Sequence, residues 1–163
     1  GEEGKGFYYL MQNFQSERLI GATSTLAGAR RALDRSVAYG KERKAFGKPI
    51  MAREVWKHTF ADLYTKAEAA KSLCYETVAD FNEERYVKGT EISMETVKKI
   101  AMCKLFVGDV ANEIMDTCLQ FHGGMGYLEE LWVARAWRDQ RLFRIGGGTS
   151  EVMKYMIAKI MGW

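Results

Sequence analysis

The sequence predicts an all-α protein folded as an antiparallel helical bundle. Three observations predict it. Apolar residues recur every three to four positions through most of the chain. A single proline, Pro49, interrupts 163 residues. Few β-branched alternations mark out strands. The length suits one domain with a real core.

The opening "GEEGKGFYYLMQ", residues 1–12, is glycine-rich and charged and reads as a linker, with the helical domain running from 13 to 163. The first helix is expected to start between Gln12 and Ser16. Leu19, Ala22, Leu26, Ala29, Leu33 and Val37 form its stripe, and Gly47 with Pro49 ends it beyond Arg43. At 1.5 Å per residue it is roughly 40 Å long. The second helix starts near Ala52, carries Trp56, Phe60, Leu63, Ala67, Ala70, Cys74, Val78 and Phe81 on one face, and fades in "NEERYVKGTE". The third starts near Ser93 with a stripe of Val97, Ala101, Leu105, Gly108, Ala111, Met115 and Cys118, and "HGGMG" stops it. A short helix follows over Glu130 to Asp139. Thr149 or Ser150 caps the last, whose buried face is Val152, Met153, Met156, Ile157 and Ile160. Long helices on short loops make an antiparallel bundle. The 3.5-residue seam of an extended coiled coil is not sustained.

Composition narrows the function. A net charge of +3 without a Lys/Arg block gives no footprint for nucleic acid. No apolar run approaches membrane-spanning length, and no signal peptide is read at the start. Cys74, Cys103 and Cys118 are widely spaced with no CxxC, which points to reduced, buried thiols in an intracellular protein. The expected location is the cytoplasm, or the mitochondrial matrix in a eukaryote. A di-iron bundle needs two Glu-x-x-His pairs. With only His58 and His122, and Glu54 beside His58, no metal site is expected. Cys118 lies four residues from His122, but its stripe position makes it a core cysteine rather than a nucleophile.

Glycine carries more information. "RIGGGTSEVM", Arg144 to Met153, sets three glycines ahead of a capped helix. Such a turn leaves N–H groups free to hold an anion or lets a flat ligand approach closely. By residue type alone it is equally a flexible interhelical loop. "QFHGGMGY" is a second loop of this kind, and two such loops beside Gln120 and Thr149 tilt the balance towards a cofactor. In "RKAFG", Arg43 suits a phosphate and Phe46 a stacked base, though an exposed arginine and a packing phenylalanine explain the pair about as well.

The ordered set "ERLIGA", "YGKERKAFGKPI", "LQFHGGMGY" and "RDQRLFRIGGGTSEVMKYMIAKIM" resembles the C-terminal domain of the acyl-CoA dehydrogenases over nearly the whole chain. The resemblance implies a portion of a longer protein whose N-terminal helical and central β domains lie elsewhere. It implies FAD as cofactor, desaturation of an acyl-CoA thioester to the 2,3-enoyl-CoA, an electron-transfer flavoprotein as acceptor, and a homo-oligomer, dimer or tetramer. It implies roles as well. Arg43 and Phe46 hold the pyrophosphate and adenine end of FAD. Gln120, Phe121, His122, Gly123 and Gly124 meet the FAD of a neighbouring subunit. Thr149, Ser150 and Glu151 touch FAD, and Arg18 lies near the acyl-CoA.

Many family members carry the catalytic base as a glutamate where this chain has Gly147. Isovaleryl-type and long-chain-type members supply it instead from the first helix, in a segment like "SERL", which puts it at Glu17 here. The thioester α-proton is weakly acidic and needs a positioned base. The backbone at Gly147 and Gly148 then serves the thioester oxygen, for which no side chain is required. The other reading of Glu17 is an ordinary first-turn glutamate, favourable to the helix dipole. The other reading of the whole chain is a non-catalytic helical assembly module of a homo- or hetero-oligomer.

Overall fold

The structure, a computed structural model, describes residues 1–163. Helix α1 spans Gly6–Glu42. A small hairpin follows, β1 (Lys44–Ala45) antiparallel to β2 (Lys48–Pro49), with Lys44 opposite Pro49. After a 3-10 turn at Ile50–Ala52 come α2 (Glu54–Asn82), a single π turn (Glu83–Val87) and α3 (Met94–His122). A 3-10 turn (Gly123–Tyr127) leads to α4 (Trp132–Leu142), and α5 (Ser150–Ile160) closes the chain.

Cross-helix pairs give the directions. Arg30 meets Glu68, and Asp34 accepts from Tyr64 at 2.6 Å, so α1 and α2 run antiparallel. Lys66 binds Glu113 at 2.6 Å and Lys99 binds Asp80 at 2.7 Å, so α2 and α3 do too. The predicted antiparallel bundle is the observed one.

The sequence stripes are the buried ones in α1 and α2. Leu19, Ala22, Leu26, Ala29 and Leu33 are buried, as are Phe60, Leu63, Ala67, Ala70, Cys74 and Phe81. Helix α3 differs. It packs against α1, α2, α4 and α5, so it buries most of its circumference rather than one stripe. Ile100, Val107, Val110 and Ile114 are core residues beside the expected ones, whereas Val97 and Leu105 are only half-buried. Its solvent face is narrowed to one strip, Phe106, Asp109, Glu113, Asp116 and Gln120.

Three expectations are corrected. Helix α1 begins at Gly6, not between Gln12 and Ser16. Nothing in "FYYLMQ" breaks a helix, and elongation adds one bond per residue without needing burial. Phe7, Tyr8 and Leu10 stay exposed on that first turn, which is why they fit no stripe. Between Glu42 and Glu54 the chain forms a hairpin, not a bare stop. Its two turn residues, Phe46 and Gly47, have φ of 51° and 80°, the handedness that two-residue hairpin loops demand. Val152, expected in the buried face of the last helix, is exposed; Met153 beside it is fully buried.

Thr149 caps the last helix as expected, and the third helix has a cap of its own. Ser93 caps α3, accepting from the Thr96 N–H at 3.2 Å, and Thr149 caps α5, accepting from the Val152 N–H at 3.3 Å.

Candidate functional site

Two segments far apart in sequence meet at one cleft of about 610 Å³, within the range of small-molecule sites. Its walls come from α1, α3, α4 and the turn between α4 and α5, and they include Glu17, Arg18, Lys104, Phe143, Gly146 and Gly147. The sequence-predicted base and the vacant glycine position therefore share a cavity. The Glu17 carboxylate is exposed and accepts one hydrogen bond, from Asn13 Nδ2 at 3.1 Å; no cation neutralises it. It is free to accept a proton. Asp139 on α4 is a second carboxylate in the same wall, not singled out from the sequence.

The glycine turn is the structural centre of the cleft. Gly147 and Gly148 have φ of 67° and 106°, where a side chain would be strained. A Cβ on Gly148 would also lie 2.8 Å from Met153 Cε and 3.3 Å from Arg18 Nη2. Arg18 Nε donates to the Gly147 carbonyl at 2.9 Å, and Lys104 Nζ donates to the Gly148 carbonyl at 2.5 Å and the Phe143 carbonyl at 3.0 Å. The N–H groups of Gly147, Gly148 and Thr149 have no acceptor in the chain.

Other predicted residues divide. Arg18 lines the cleft but is buried, its guanidinium given to Gly147 and packed over the Phe14 ring at 5.6 Å. Burial holds it below the usual arginine range. Thr149 and Glu151 stand at the start of α5. Glu151 is exposed, and its own backbone N–H, with the Thr149 hydroxyl, holds its carboxyl below the usual carboxylate range. The Ser150 side chain is buried, its hydroxyl 3.5 Å from Arg144 Nε.

Arg43 and Phe46 lie together at the hairpin, away from the cleft. Phe46 is 96% exposed with a positive φ, an aromatic ring held out in a conformation that costs roughly 1–2 kcal/mol. Arg43 is exposed and has no ion-pair partner in the chain. The guanidinium set over the Phe46 ring is that of Arg53, 5.4 Å from its centroid; an exposed ring and the arginines of this corner are groups that could take a base and a phosphate.

In the segment from Gln120 to Gly124, Gln120, Gly123 and Gly124 are exposed, but Phe121 and His122 are core side chains. Phe121 makes edge contacts with Trp56 and Phe60 at 4.8 and 4.9 Å. His122 stacks on Tyr39 at 4.3 Å and donates from Nδ1 to the Cys118 carbonyl at 2.7 Å. What this loop offers a ligand is the side chain of Gln120 and the two glycines. The Cys118 thiol is pushed up to about 11 by burial, so it supplies no thiolate. His58 pairs with Glu54 at 3.5 Å, and no group of three or more His, Cys, Asp and Glu side chains could hold a metal ion.

Lys104 is the site residue that sequence reasoning missed. Its signal was present: it lies three residues after Ala101 and four before Gly108, on the apolar stripe of α3.

Fold and cleft together define an α-helical bundle domain with a cleft along α1, α3 and α4. The chain belongs to the acyl-CoA dehydrogenase family: the profile of "Acyl-CoA dehydrogenase, C-terminal domain" matches residues 4–162. The caffeyl-CoA reductase–Etf complex subunit CarC of Acetobacterium woodii is 35% identical over 161 residues, 99% of this chain and 40% of that protein. The mitochondrial long-chain specific acyl-CoA dehydrogenase of Sus scrofa is 34% identical over 159 residues, 98% of this chain and 35% of that protein. The structure of an acyl-CoA dehydrogenase complexed with FAD from Bacillus anthracis superposes with a TM-score of 0.91 at 26% identity, over 99% of this chain and 29% of that one. The chain thus spans 40% or less of these relatives. No helix is long and apolar enough to cross a membrane.

Proposed function

We propose that this chain is the C-terminal, FAD-binding and catalytic domain of a flavin-dependent acyl-CoA dehydrogenase. The observation that carries the reading is the cleft shared by Glu17, an unneutralised carboxylate, and Gly147, whose backbone N–H has no acceptor in the chain. An acyl-CoA thioester with its carbonyl oxygen against the turn presents its α-carbon to a base across the cleft. Glu17 takes the α-proton as the β-hydride leaves, and the turn's donors stabilise negative charge on the thioester oxygen. Bound FAD supplies the acceptor for that hydride. The product would be the 2,3-enoyl-CoA, with the α-proton left on Glu17 and the β-hydride passed to the acceptor that bound FAD would supply.

Arg43 and Phe46 hold the pyrophosphate and adenine end of FAD, with Thr149 and Glu151 near the last helix. Gln120, Gly123 and Gly124 meet the FAD of a neighbouring subunit in a dimer or tetramer. Arg18 acts on the substrate through the Gly147 carbonyl it holds. Electron-transfer flavoprotein is the proposed acceptor, a reading supported by the Etf complex to which the A. woodii relative belongs. Three free buried thiols support a reducing compartment, the cytoplasm or the mitochondrial matrix.

The test is stopped-flow reduction of the flavin by acyl-CoA in the full-length protein. Glu17→Gln should bind FAD and acyl-CoA and lose about 10²–10⁴ in reduction rate. Asp139→Asn, which removes the other carboxylate of the cleft, should stay within a few-fold of wild type. A reversed ranking would move the base to α4. If neither change matters and no flavin is bound, the helical assembly module becomes the better account.

A further inference from the structure

Lys104 is 3% exposed and has no carboxylate within ion-pairing distance. Lysines are almost never buried that far without a partner, because the ammonium gives up its water. Here two carbonyl oxygens, of Phe143 and Gly148, replace the water, with the Phe143 ring 5.0 Å from the ammonium. Arg18 repeats the pattern: 6% exposed, bound to the Gly147 carbonyl, with no carboxylate. Burial and the neighbouring Arg18 charge both push the Lys104 ammonium below the usual lysine range. Two uncompensated cations thus converge on two successive carbonyls of one turn.

That arrangement constrains the opposite side of the turn. Every peptide bond is trans, so C=O and N–H point in opposite directions. Holding the Gly147 carbonyl on Arg18 turns the Gly148 N–H away from Arg18. Holding the Gly148 carbonyl on Lys104 turns the Thr149 N–H away from Lys104. Those N–H groups are among the three without an acceptor.

The geometry points to Lys104 as a positioning residue for the reaction proposed above: with Arg18 it pins the glycine turn through two successive carbonyls, holding Gly147 in the cleft wall, and its uncompensated charge in the same wall favours the negative charge that collects on the thioester oxygen. The inference rests on the dehydrogenase reading of the cleft. The charged groups lining that cleft are Glu17 and Arg18 on α1, Lys104 on α3 and Asp139 on α4. The first accepts the α-proton, and the two cations lie in the same wall as Gly147.

A substrate analogue separates this role from turnover. A 3-oxoacyl-CoA has an acidic α-proton to lose and no β-hydride to give, so its ionisation can be titrated by absorbance on the full-length holoenzyme without flavin reduction. Wild-type enzyme should ionise the bound analogue at lower pH than water does. Lys104→Met should raise the apparent pKa of the bound analogue by about one unit or more, a tenfold loss of ionisation per unit, with FAD content retained. Lys104→Arg, which keeps the charge, should restore most of it. The matching kcat should fall about tenfold or more, less than the 10²–10³ typical of deleting an oxyanion donor, with KM nearly unchanged. If Lys104→Met fails to fold, Lys104→Gln still donates to the carbonyls without a charge and carries the same expectation. An unshifted analogue pKa in the neutral variants overturns the inference and leaves the dehydrogenase reading standing. A wild-type enzyme that ionises the analogue no better than water sinks both.

Discussion

His122 stands in a glycine-flanked loop and looks, by position, like a ligand residue. Its ring is instead 5% exposed, stacked on Tyr39 and edge-on to Trp132 at 5.8 Å. The Cys118 carbonyl can only accept, so Nδ1 carries a proton. Burial, with the Arg35 charge adding to it, holds His122 below the ordinary histidine range. The unfolded chain therefore binds a proton that the folded chain refuses once pH falls below about 6.5. Stability from this residue is fully present above that value and declines as pH drops towards the lower folded value. We expect urea midpoints to fall as pH drops below about 6.5, and His122→Leu to flatten that part of the profile. An identical slope in the variant would place the sensitive group elsewhere.

At the scale of elements, the α2–α3 corner is tied by one carboxylate. Glu84, in the π turn, accepts from the Ser93 N–H and hydroxyl at 2.8 Å each and from the Thr96 hydroxyl at 2.9 Å. The Ser93 N–H is the main reason its carboxyl lies below the usual carboxylate range. Ser93 in turn caps α3 through Thr96. Its hydroxyl thus joins the cap to the turn. Ser93→Ala removes the cap and one of Glu84's partners, and should cost about 0.5–2 kcal/mol, as caps do. Chemical denaturation measures it, and an unchanged midpoint would show that the corner is held by packing alone. The hairpin illustrates the same scale. Phe46 adopts its unusual φ because a two-residue loop between β1 and β2 requires it.

Over the whole molecule, large apolar side chains remain outside the core. Phe7, Leu10, Phe46, Tyr127 and Trp163 are all exposed. Surface of that kind is used for contact with other domains or subunits. We expect the chain by itself to self-associate at micromolar concentration and to hold FAD poorly. Sedimentation and flavin absorbance check both, and a monodisperse monomer with stoichiometric FAD would contradict both.

Period alone determined the helices. Leu19 to Leu33 and Phe60 to Phe81 are buried as their spacing dictates, because a 3.6-residue repeat fixes which residues share a face before any partner exists. The caps at Ser93 and Thr149 are equally local, since each side chain bonds a backbone group three residues away. The ordered motifs pointed to the family, and Glu17 was legible in them once Gly147 lacked a carboxylate. Tertiary structure decided the rest. It brought Glu17 and Gly147, 130 residues apart in number, into one cleft. It turned Phe121, His122 and Ser150 inward, since a loop's sequence does not say which of its side chains face a neighbouring helix. It placed Lys104 behind the glycine turn, because carbonyls that neutralise a buried ammonium belong to a segment some 40 residues further along the chain. Local rules settle what each segment becomes; only packing settles which segments share their charges and donors.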